Sequence, residues 1–143
     1  MNIQRFFIII IFSFFHTLLF ADMTNIDNNE LKKMLEQNVP IIDIRTPKEW
    51  QQTGVVKGSN LIMFFDEKGI YNVDEWLDKL SKIVVSKENP FILICRTGSR
   101  TKSVGNFLND NFGYSKVHNV THGITKWIKE NNAVVKPDIE IKP

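Results

Sequence analysis

An unbroken apolar run near the middle of the chain, Phe91-Ile92-Leu93-Ile94, does most to limit the folds that the sequence can adopt. Asn89-Pro90 breaks the chain before this run and a polar loop follows it, so the run has the length of a strand rather than that of a helix. A strand without an outward-facing polar side must be covered on both faces, which is typical of a parallel sheet between two layers of helices. The run therefore predicts an α/β fold.

Helical and strand-like segments alternate on both sides of this run, as a mostly parallel sheet flanked by helices requires. The clearest helix start is Thr46-Pro47-Lys48-Glu49, where Thr46 and Glu49 form a capping box and Pro47 suits the first helical position. Other helices are expected after the capping residues Asp27 and Asn72, before Gly113, and around Trp127; strands are expected at 39–44, 60–65 and 116–120. In such folds, ligands bind beyond the carboxyl ends of the strands.

The N-terminal segment has the pattern of a secretory signal. Arg5 is the only charged residue among the first 21, and it is followed by residues 6–20, which are mostly apolar. We expect residues 1–21 to be a signal peptide that directs the chain to the periplasm or out of the cell. The alternative is an uncleaved anchor that holds the chain to the membrane facing the periplasm. Residues 22–132 then form one domain, and residues 133–143 form a C-terminal tail for which the sequence predicts no fixed structure.

Composition excludes several classes of function. The net charge is +2 and no run of like charges stands out, so we expect no nucleic-acid partner. One cysteine, Cys95, cannot form an internal disulfide or a cysteine zinc cluster. His118 and His122 are too few for a zinc site, which needs three or four ligands. We therefore expect no metal and no cofactor.

The loop Cys-Arg-Thr-Gly-Ser-Arg-Thr, residues 95–101, carries the functional prediction. A reactive cysteine must be a thiolate, whereas a free thiol has a pKa of about 8.5. Arg96 and Arg100 bring positive charge, and a tight turn at Gly98 lets backbone amides point inward as an anion cradle. The N-terminus of the following helix, capped by Ser99 or Thr101, adds to this field. These features favour the anion.

Purely structural roles are the alternatives for Cys95 and for the pair Asp43 and Arg45. A lone cysteine is often only a small buried apolar residue, although two arginines and a glycine nearby are not needed for that role. Asp43 and Arg45 are either active-site residues or, as we favour, an ion pair that fixes a strand-to-helix turn.

Four segments together resemble the motifs of single-domain rhodaneses, and the resemblance covers about residues 25–131. The segments are Asp43–Trp50, Gly54–Ser59, the strand and loop 91–101, and the stretch from Tyr114 to Trp127. Two positions depart from the family pattern: Val55 replaces the usual histidine, and His122-Gly123 replaces the usual double glycine. Neither position supplies catalytic chemistry in the family.

The resemblance implies a rhodanese-like fold and sulfur transfer. Cys95 would take sulfane sulfur from thiosulfate or polysulfide, carry it as a persulfide, and pass it to a thiol, a protein or another thiophilic acceptor. The loop from Arg96 through Thr97, Gly98 and Ser99 to Arg100 would bind the donor and the persulfide. Arg100 would either contact the anionic donor or brace the loop through a carboxylate such as Asp43.

Three alternatives use the same residues. A persulfide carrier would deliver sulfur to a partner protein with little turnover of thiosulfate. A phosphatase or arsenate reductase would use the same scaffold, but related phosphatases place five residues between cysteine and arginine, whereas four lie between Cys95 and Arg100. A cysteine hydrolase would need His118 or His122 as its base, and neither has an orienting carboxylate nearby in the sequence.

Overall fold

The computed structural model describes residues 23–137 and 139; the predicted signal segment, residues 1–21, lies outside them. The described part folds into alternating strands and helices. The elements are β1 (Thr24–Ile26), α1 (Asn28–Glu36), β2 (Ile41–Asp43), α2 (Pro47–Thr53), β3 (Asn60–Leu61), α3 (Val73–Ser81), β4 (Phe91–Ile94), α4 (Ser99–Phe112), β5 (Val117–Val120) and α5 (Gly123–Lys129).

The strands form one sheet in the order β1-β5-β4-β2-β3, and neighbouring strands run parallel. The apolar run predicted to be a buried strand is β4, which lies at the centre between β5 and β2. From β2 the chain continues to β3 on one side, and from β4 it continues to β5 on the other. Where successive connections diverge in this way, a crevice opens at the carboxyl ends of the two strands. That crevice lies beyond Asp43 and Ile94.

Two apolar cores cover the two faces of the sheet, which confirms the predicted α/β architecture. Phe91 and Leu93 of β4 pack in one core with residues of α3 and α4, and Ile92 and Ile94 pack in the other with residues of α1 and α5. This division follows from the two-residue period of a strand. The three tryptophans predicted to anchor the core are all buried, at positions 50, 76 and 127.

Three of the predicted helix starts are confirmed by their capping bonds. Asp27 and Thr46 each form a capping box, with Glu30 and Glu49 respectively. The side chain of Asn72 accepts a hydrogen bond from the Glu75 amide at the start of α3. Such side chains satisfy amides that the helix itself leaves without partners.

The structure differs from the sequence prediction in three segments. Strand β1 was not predicted, because three residues with one buried side chain give no readable alternation. The strand expected at 60–65 is shorter, although the Ile62 amide still donates to the Asp43 carbonyl at 3.1 Å. The tail was expected to lack structure, but Val135 exchanges two backbone hydrogen bonds with Val55, of 2.8 and 2.9 Å. Within the described residues, no helix is long and apolar enough to cross a membrane.

Candidate active site

Cys95 lies directly beyond β4, in the crevice of the sheet. It continues the alternation of Phe91 and Leu93, so its side chain points to the face covered by α4. The residue has no exposed surface, and the Gly98 amide donates to its Sγ atom at 3.2 Å. Gly98 is the N-cap of α4 and has a φ of +88°, a left-handed conformation that glycine adopts without strain. The only thiol in the chain therefore lies against the N-terminus of a 14-residue helix.

The sequence prediction that Ser99 or Thr101 caps α4 is wrong. The helix begins without a side-chain capping bond, and the Ser99 hydroxyl lies 3.3 Å from that of Thr97. The reason is positional: Ser99 and Thr101 lie inside the helix, and the cap position is occupied by a glycine that has no side chain to offer. The amide of that glycine faces sulfur instead.

The side-chain hydroxyl of Thr101 is a second contact of the sulfur. It is buried, and its Oγ1 lies 3.3 Å from Cys95 Sγ. The same oxygen lies 3.2 Å from the Gly98 carbonyl oxygen and 2.5 Å from Asn119 Oδ1, and its one proton can be donated to either. Asn119 in turn donates from Nδ2 to Asn25 Oδ1 at 2.8 Å. The sulfur is thus the end of a side-chain network that crosses from α4 to β5 and β1.

Sequence analysis missed Asn119 altogether. In the sheet, Asn119 lies opposite Leu93, so its amide points to the same face as the Cys95 side chain. A polar residue at an inward position of the strand between Val117 and Val120 was the available signal. It could be interpreted only once the register of β5 against β4 was known.

The first turn of α5 supports the loop that follows β4. The amides of Ile124 and Thr125 donate to the carbonyls of Cys95 and Arg96, at 2.9 and 3.1 Å. A Cβ atom at Gly123 would lie 2.4 Å from the Cys95 carbonyl oxygen, and one at Gly98 would lie 2.2 Å from the Thr121 carbonyl oxygen. Of the glycine pair usual in the family, the second position is therefore sterically required here, whereas the first is occupied by a histidine.

Of the two roles predicted for Arg100, the structure shows a bracing contact with a carboxylate, which is Glu49 rather than the example given, Asp43. The Arg100 guanidinium forms two hydrogen bonds with the Glu49 carboxylate, of 2.6 and 2.9 Å. Asp43 is already occupied by Arg45. Burial raises the pKa of Glu49, but the hydrogen bonds from Arg100 and the Thr46 backbone outweigh it and hold that pKa below its usual value. The hydrogen bonds that Arg100 donates to Glu49, together with the negative charge of that carboxylate, raise the pKa of Arg100, although burial opposes this. Glu49 thus joins the capping box of α2 to the first turn of α4.

The ion pair predicted between Asp43 and Arg45 is present and buried, with Nη2 and Oδ2 2.7 Å apart. Arg45 also donates to the Thr53 hydroxyl at 2.7 Å and the Gly54 carbonyl at 2.9 Å. Each nitrogen of the guanidinium thus has at least one partner, as a buried charge requires. The pair fastens the end of β2 to the C-terminus of α2.

The rest of the predicted loop faces solvent. Arg96, Thr97 and Ser99 are exposed, and the Arg96 side chain borders a cleft of about 100 Å³ with Arg45 and Glu49. Of the two arginines, Arg45 is buried and paired with Asp43, so Arg96 is the exposed positive charge of this lining.

The histidines do not assemble into a hydrolase site. His118 pairs in register with Ile92, so its ring lies on the face opposite Cys95. Burial lowers the pKa of His118, although the charge of Glu30 opposes this. His122 lines a separate cavity of about 500 Å³ beside Thr97 and Lys126. Among residues 23–137, no cluster of three or more histidine, cysteine, aspartate or glutamate side chains is arranged to hold a metal ion.

Comparisons with known proteins agree with this geometry. The family description "Rhodanese-like domain" matches residues 27–130. An uncharacterized protein of Rickettsia conorii is 32% identical over 103 residues, which are 66% of this chain and 80% of that protein.

Two solved structures are also similar. A rhodanese-like domain protein from Staphylococcus aureus is 26% identical with a TM-score of 0.55, and the match covers 85% of this chain and 100% of that one. The polysulfide-sulfur transferase homodimer of Wolinella succinogenes has a TM-score of 0.62 at 24% identity, covering 82% of each chain, and this likeness concerns the fold. With the family match spanning every element from α1 to α5, the chain belongs to the rhodanese-like family.

Proposed function

We propose that this protein is a sulfurtransferase that carries sulfane sulfur on Cys95 as a persulfide. The observation that supports it best is the 3.2 Å hydrogen bond from the Gly98 amide to Cys95 Sγ, at the N-terminus of α4. A donor and a helix dipole aimed at Sγ stabilise negative charge on that atom in the thiolate, which is the form that attacks the donor and the form that is restored when the outer sulfur leaves.

The first half-reaction is a displacement at sulfur. The Cys95 thiolate attacks the outer sulfur of thiosulfate, the bond between the two thiosulfate sulfurs breaks, and sulfite leaves with the electron pair. Polysulfide reacts in the same way, with a shortened polysulfide as the leaving group. In the second half-reaction a nucleophile such as cyanide or a thiolate attacks the outer sulfur, and the electron pair of the sulfur–sulfur bond returns to Cys95. Covalent transfer in two steps predicts ping-pong kinetics.

The surrounding charges suit anionic donors. We assign Arg96, which is exposed beside the cleft, to attraction of the donor. Thr97, Gly98 and Ser99 would supply backbone amides to the outer sulfur, and Arg100 would add positive charge from the position where Glu49 holds it. The guanidinium therefore serves the loop first and the donor second.

We also propose that the protein acts outside the cytoplasm. This proposal depends on residues 1–21 alone, whose basic start and apolar stretch have the pattern of a secretory signal. Sequencing of the N-terminus of the protein recovered from the periplasm or medium of the producing cells tests it. Recovery with Met1 from the cytoplasm would contradict it.

Transfer is tested with two donors in parallel. The protein is incubated with thiosulfate and cyanide, or with polysulfide and cyanide, and thiocyanate is measured; intact mass spectrometry follows Cys95 before cyanide is added. We expect thiocyanate from at least one donor and one added sulfur atom on the protein. Cys95→Ser should show neither, while unfolding at the same urea concentration as the wild type.

The outcomes separate the related functions. An added sulfur atom that cyanide removes slowly would indicate a persulfide carrier rather than a turnover enzyme. Absence of both thiocyanate and added sulfur would contradict the proposal. Thiocyanate formation at wild-type rate by Cys95→Ser would exclude the covalent step.

A further inference from the structure

Thr101 has one hydroxyl proton and three neighbours that can accept it. The Gly98 carbonyl, at 3.2 Å, and Asn119 Oδ1, at 2.5 Å, are acceptors only. Cys95 Sγ, at 3.3 Å, donates when it is a thiol and accepts when it is a thiolate. The sulfur therefore competes with an amide oxygen for a single proton.

The orientation of Asn119 decides this competition. A separation of 2.5 Å is within the range of O–H···O bonds and below that of N–H···O bonds, so the amide oxygen rather than the nitrogen faces Thr101. The opposite end of the amide supports the same orientation, because Nδ2 donates to Asn25 Oδ1 at 2.8 Å. Asn119 is buried and Asn25 is exposed, so this contact ties a buried amide to the edge strand of the sheet.

We propose that Thr101 is a catalytic residue whose hydroxyl donates a hydrogen bond to the charged Cys95 sulfur, and that Asn119 is a positioning residue that competes with the sulfur for this hydrogen bond. The proposal rests on the sulfurtransferase function. When the acceptor removes the outer sulfur, the electron pair of the broken bond returns to Sγ, and the Thr101 hydroxyl turns from Asn119 to that charge. When Cys95 is protonated, Thr101 donates to Asn119 and accepts from the S–H group.

The ionised groups around Cys95 stay unchanged when this network is altered. They are Arg96 of the same loop, Arg100 of α4, Glu49 of α2 and the Asp43–Arg45 pair at the end of β2; His118 of β5 lies on the other face. Asparagine and threonine carry no charge, so variants at 101, 119 and 25 test hydrogen bonding alone.

The experiment measures ionisation of Cys95 without any sulfur donor. Thiolate absorbance in the ultraviolet is followed against pH, with Cys95→Ser as the blank; since the chain has one cysteine, the signal has one source. Thr101→Val removes the donor and should move the midpoint up by about one pH unit, the size expected of one hydrogen bond to a charged group. Thr101→Ser should restore it.

Asn119→Ala should move the midpoint in the opposite direction, because it releases the Thr101 proton to sulfur. In a Thr101→Val background the same change should have no effect, since no proton remains to release. Should Asn119→Ala fail to fold, the exposed Asn25→Ala is the substitute: it frees the Asn119 amide to rotate and should also lower the midpoint. Ser103→Ala is the matched control, since this α4 hydroxyl bonds the Ser99 carbonyl instead, and should leave the midpoint unchanged.

Opposite shifts from positions 101 and 119, with no residual effect of 119 in the double variant, would support the proposal. Shifts of the same sign, or none at position 119 and position 25, would overturn it. Neither result bears on whether sulfur is transferred, so failure here is distinct from failure of the sulfurtransferase assay.

Discussion

The helices of this protein begin in two different ways. Helices α1, α2 and α3 are capped by the side chains of Asp27, Thr46 and Asn72, each of which accepts from amides of its own first turn. Helices α4 and α5 have no such cap. Their first amides turn to one loop: Gly98 donates to the Cys95 sulfur, and Ile124 donates to the Cys95 carbonyl.

Helices α1, α2 and α3 thus satisfy their first amides with their own capping side chains, whereas the first amides of α4 and α5 bind atoms of the Cys95 loop. A side-chain cap uses up amides that could otherwise bind an anion. At α4 the sulfur of Cys95 takes the acceptor role that a serine or aspartate has elsewhere, and at α5 the loop carbonyls do so. A substitution at the start of α1, α2 or α3 should therefore lower stability alone, whereas one at the start of α4 or α5 should lower sulfur transfer as well.

The largest effect is expected at the start of α4. Gly98→Ala would place a Cβ atom 2.2 Å from the Thr121 carbonyl oxygen at a φ of +88°, which displaces the amide from sulfur. We expect sulfur transfer to fall by about 100-fold or more, the size seen when one donor to a reacting anion is lost. Thiocyanate formation and urea unfolding measure the two effects.

Gly69→Ala is the control for this change, because Gly69 has a φ of +78° but open space around its Cβ position. It should lose about 1 kcal/mol of stability from backbone strain and keep its activity. Equal activity losses in the two variants would contradict the steric explanation.

The second effect is expected at the start of α5. Gly123→Ala would bring a Cβ atom to 2.4 Å from the Cys95 carbonyl oxygen and push the loop away from its support. We expect activity to fall on the order of tenfold, since small displacements of reacting groups slow a reaction strongly. Gly113→Ala has a positive φ without neighbours within 4 Å, and should be active at the wild-type rate.

The third effect concerns the ion pair between Glu49 of α2 and Arg100 of α4, which joins a side-chain-capped helix to one without such a cap. Glu49→Gln keeps the capping box of α2 but loses the ion pair with Arg100. Since the pKa of Glu49 is lowered in the folded state, the pair stabilises the fold above the ordinary value of 4.5 and loses this contribution as the pH falls below it. We expect the variant to be about 1 kcal/mol less stable at neutral pH, a figure discounted for partial exposure, and equal to the wild type in acid.

Urea unfolding at several pH values measures that difference. Glu75→Gln breaks the exposed pair with Lys79 and should change stability much less. A gap for Glu49→Gln that persists unchanged in acid would mean that the loss is not electrostatic.

The smallest effect is expected at a self-contained helix. Asn72→Ala removes the cap of α3 and should cost about 1 kcal/mol in urea unfolding, with sulfur transfer unchanged. A loss of activity there would erase the distinction between the two groups of helix starts.

Patterns that are local in the chain were predictable. The apolar run of β4, the capping box at Thr46, and the position of Cys95 after the central strand follow from residues within a few positions of one another. The family resemblance extended this to the whole domain.

Contacts between distant segments could not be predicted in this way. The partner of Arg100 is Glu49, 51 positions earlier, whereas Asp43, the carboxylate named as an example, is occupied by its neighbour Arg45. Asn119 can be placed at the site only when the register of β5 against β4 is known. The cap of α4 was predicted wrongly because capping rules consider side-chain oxygens as acceptors, whereas here the Gly98 amide donates to a sulfur atom.

The bridge between Val55 and Val135 has a practical consequence for anyone shortening this protein. Val55 follows Gly54, whose carbonyl holds the buried Arg45, and the side chain of Val134 fills the space beside that glycine. Ending the chain at residue 132 would therefore remove the segment that pairs with Val55 and packs on Gly54, and so weaken the turn whose carbonyl binds the buried Arg45. Expression fragments should run at least to residue 137.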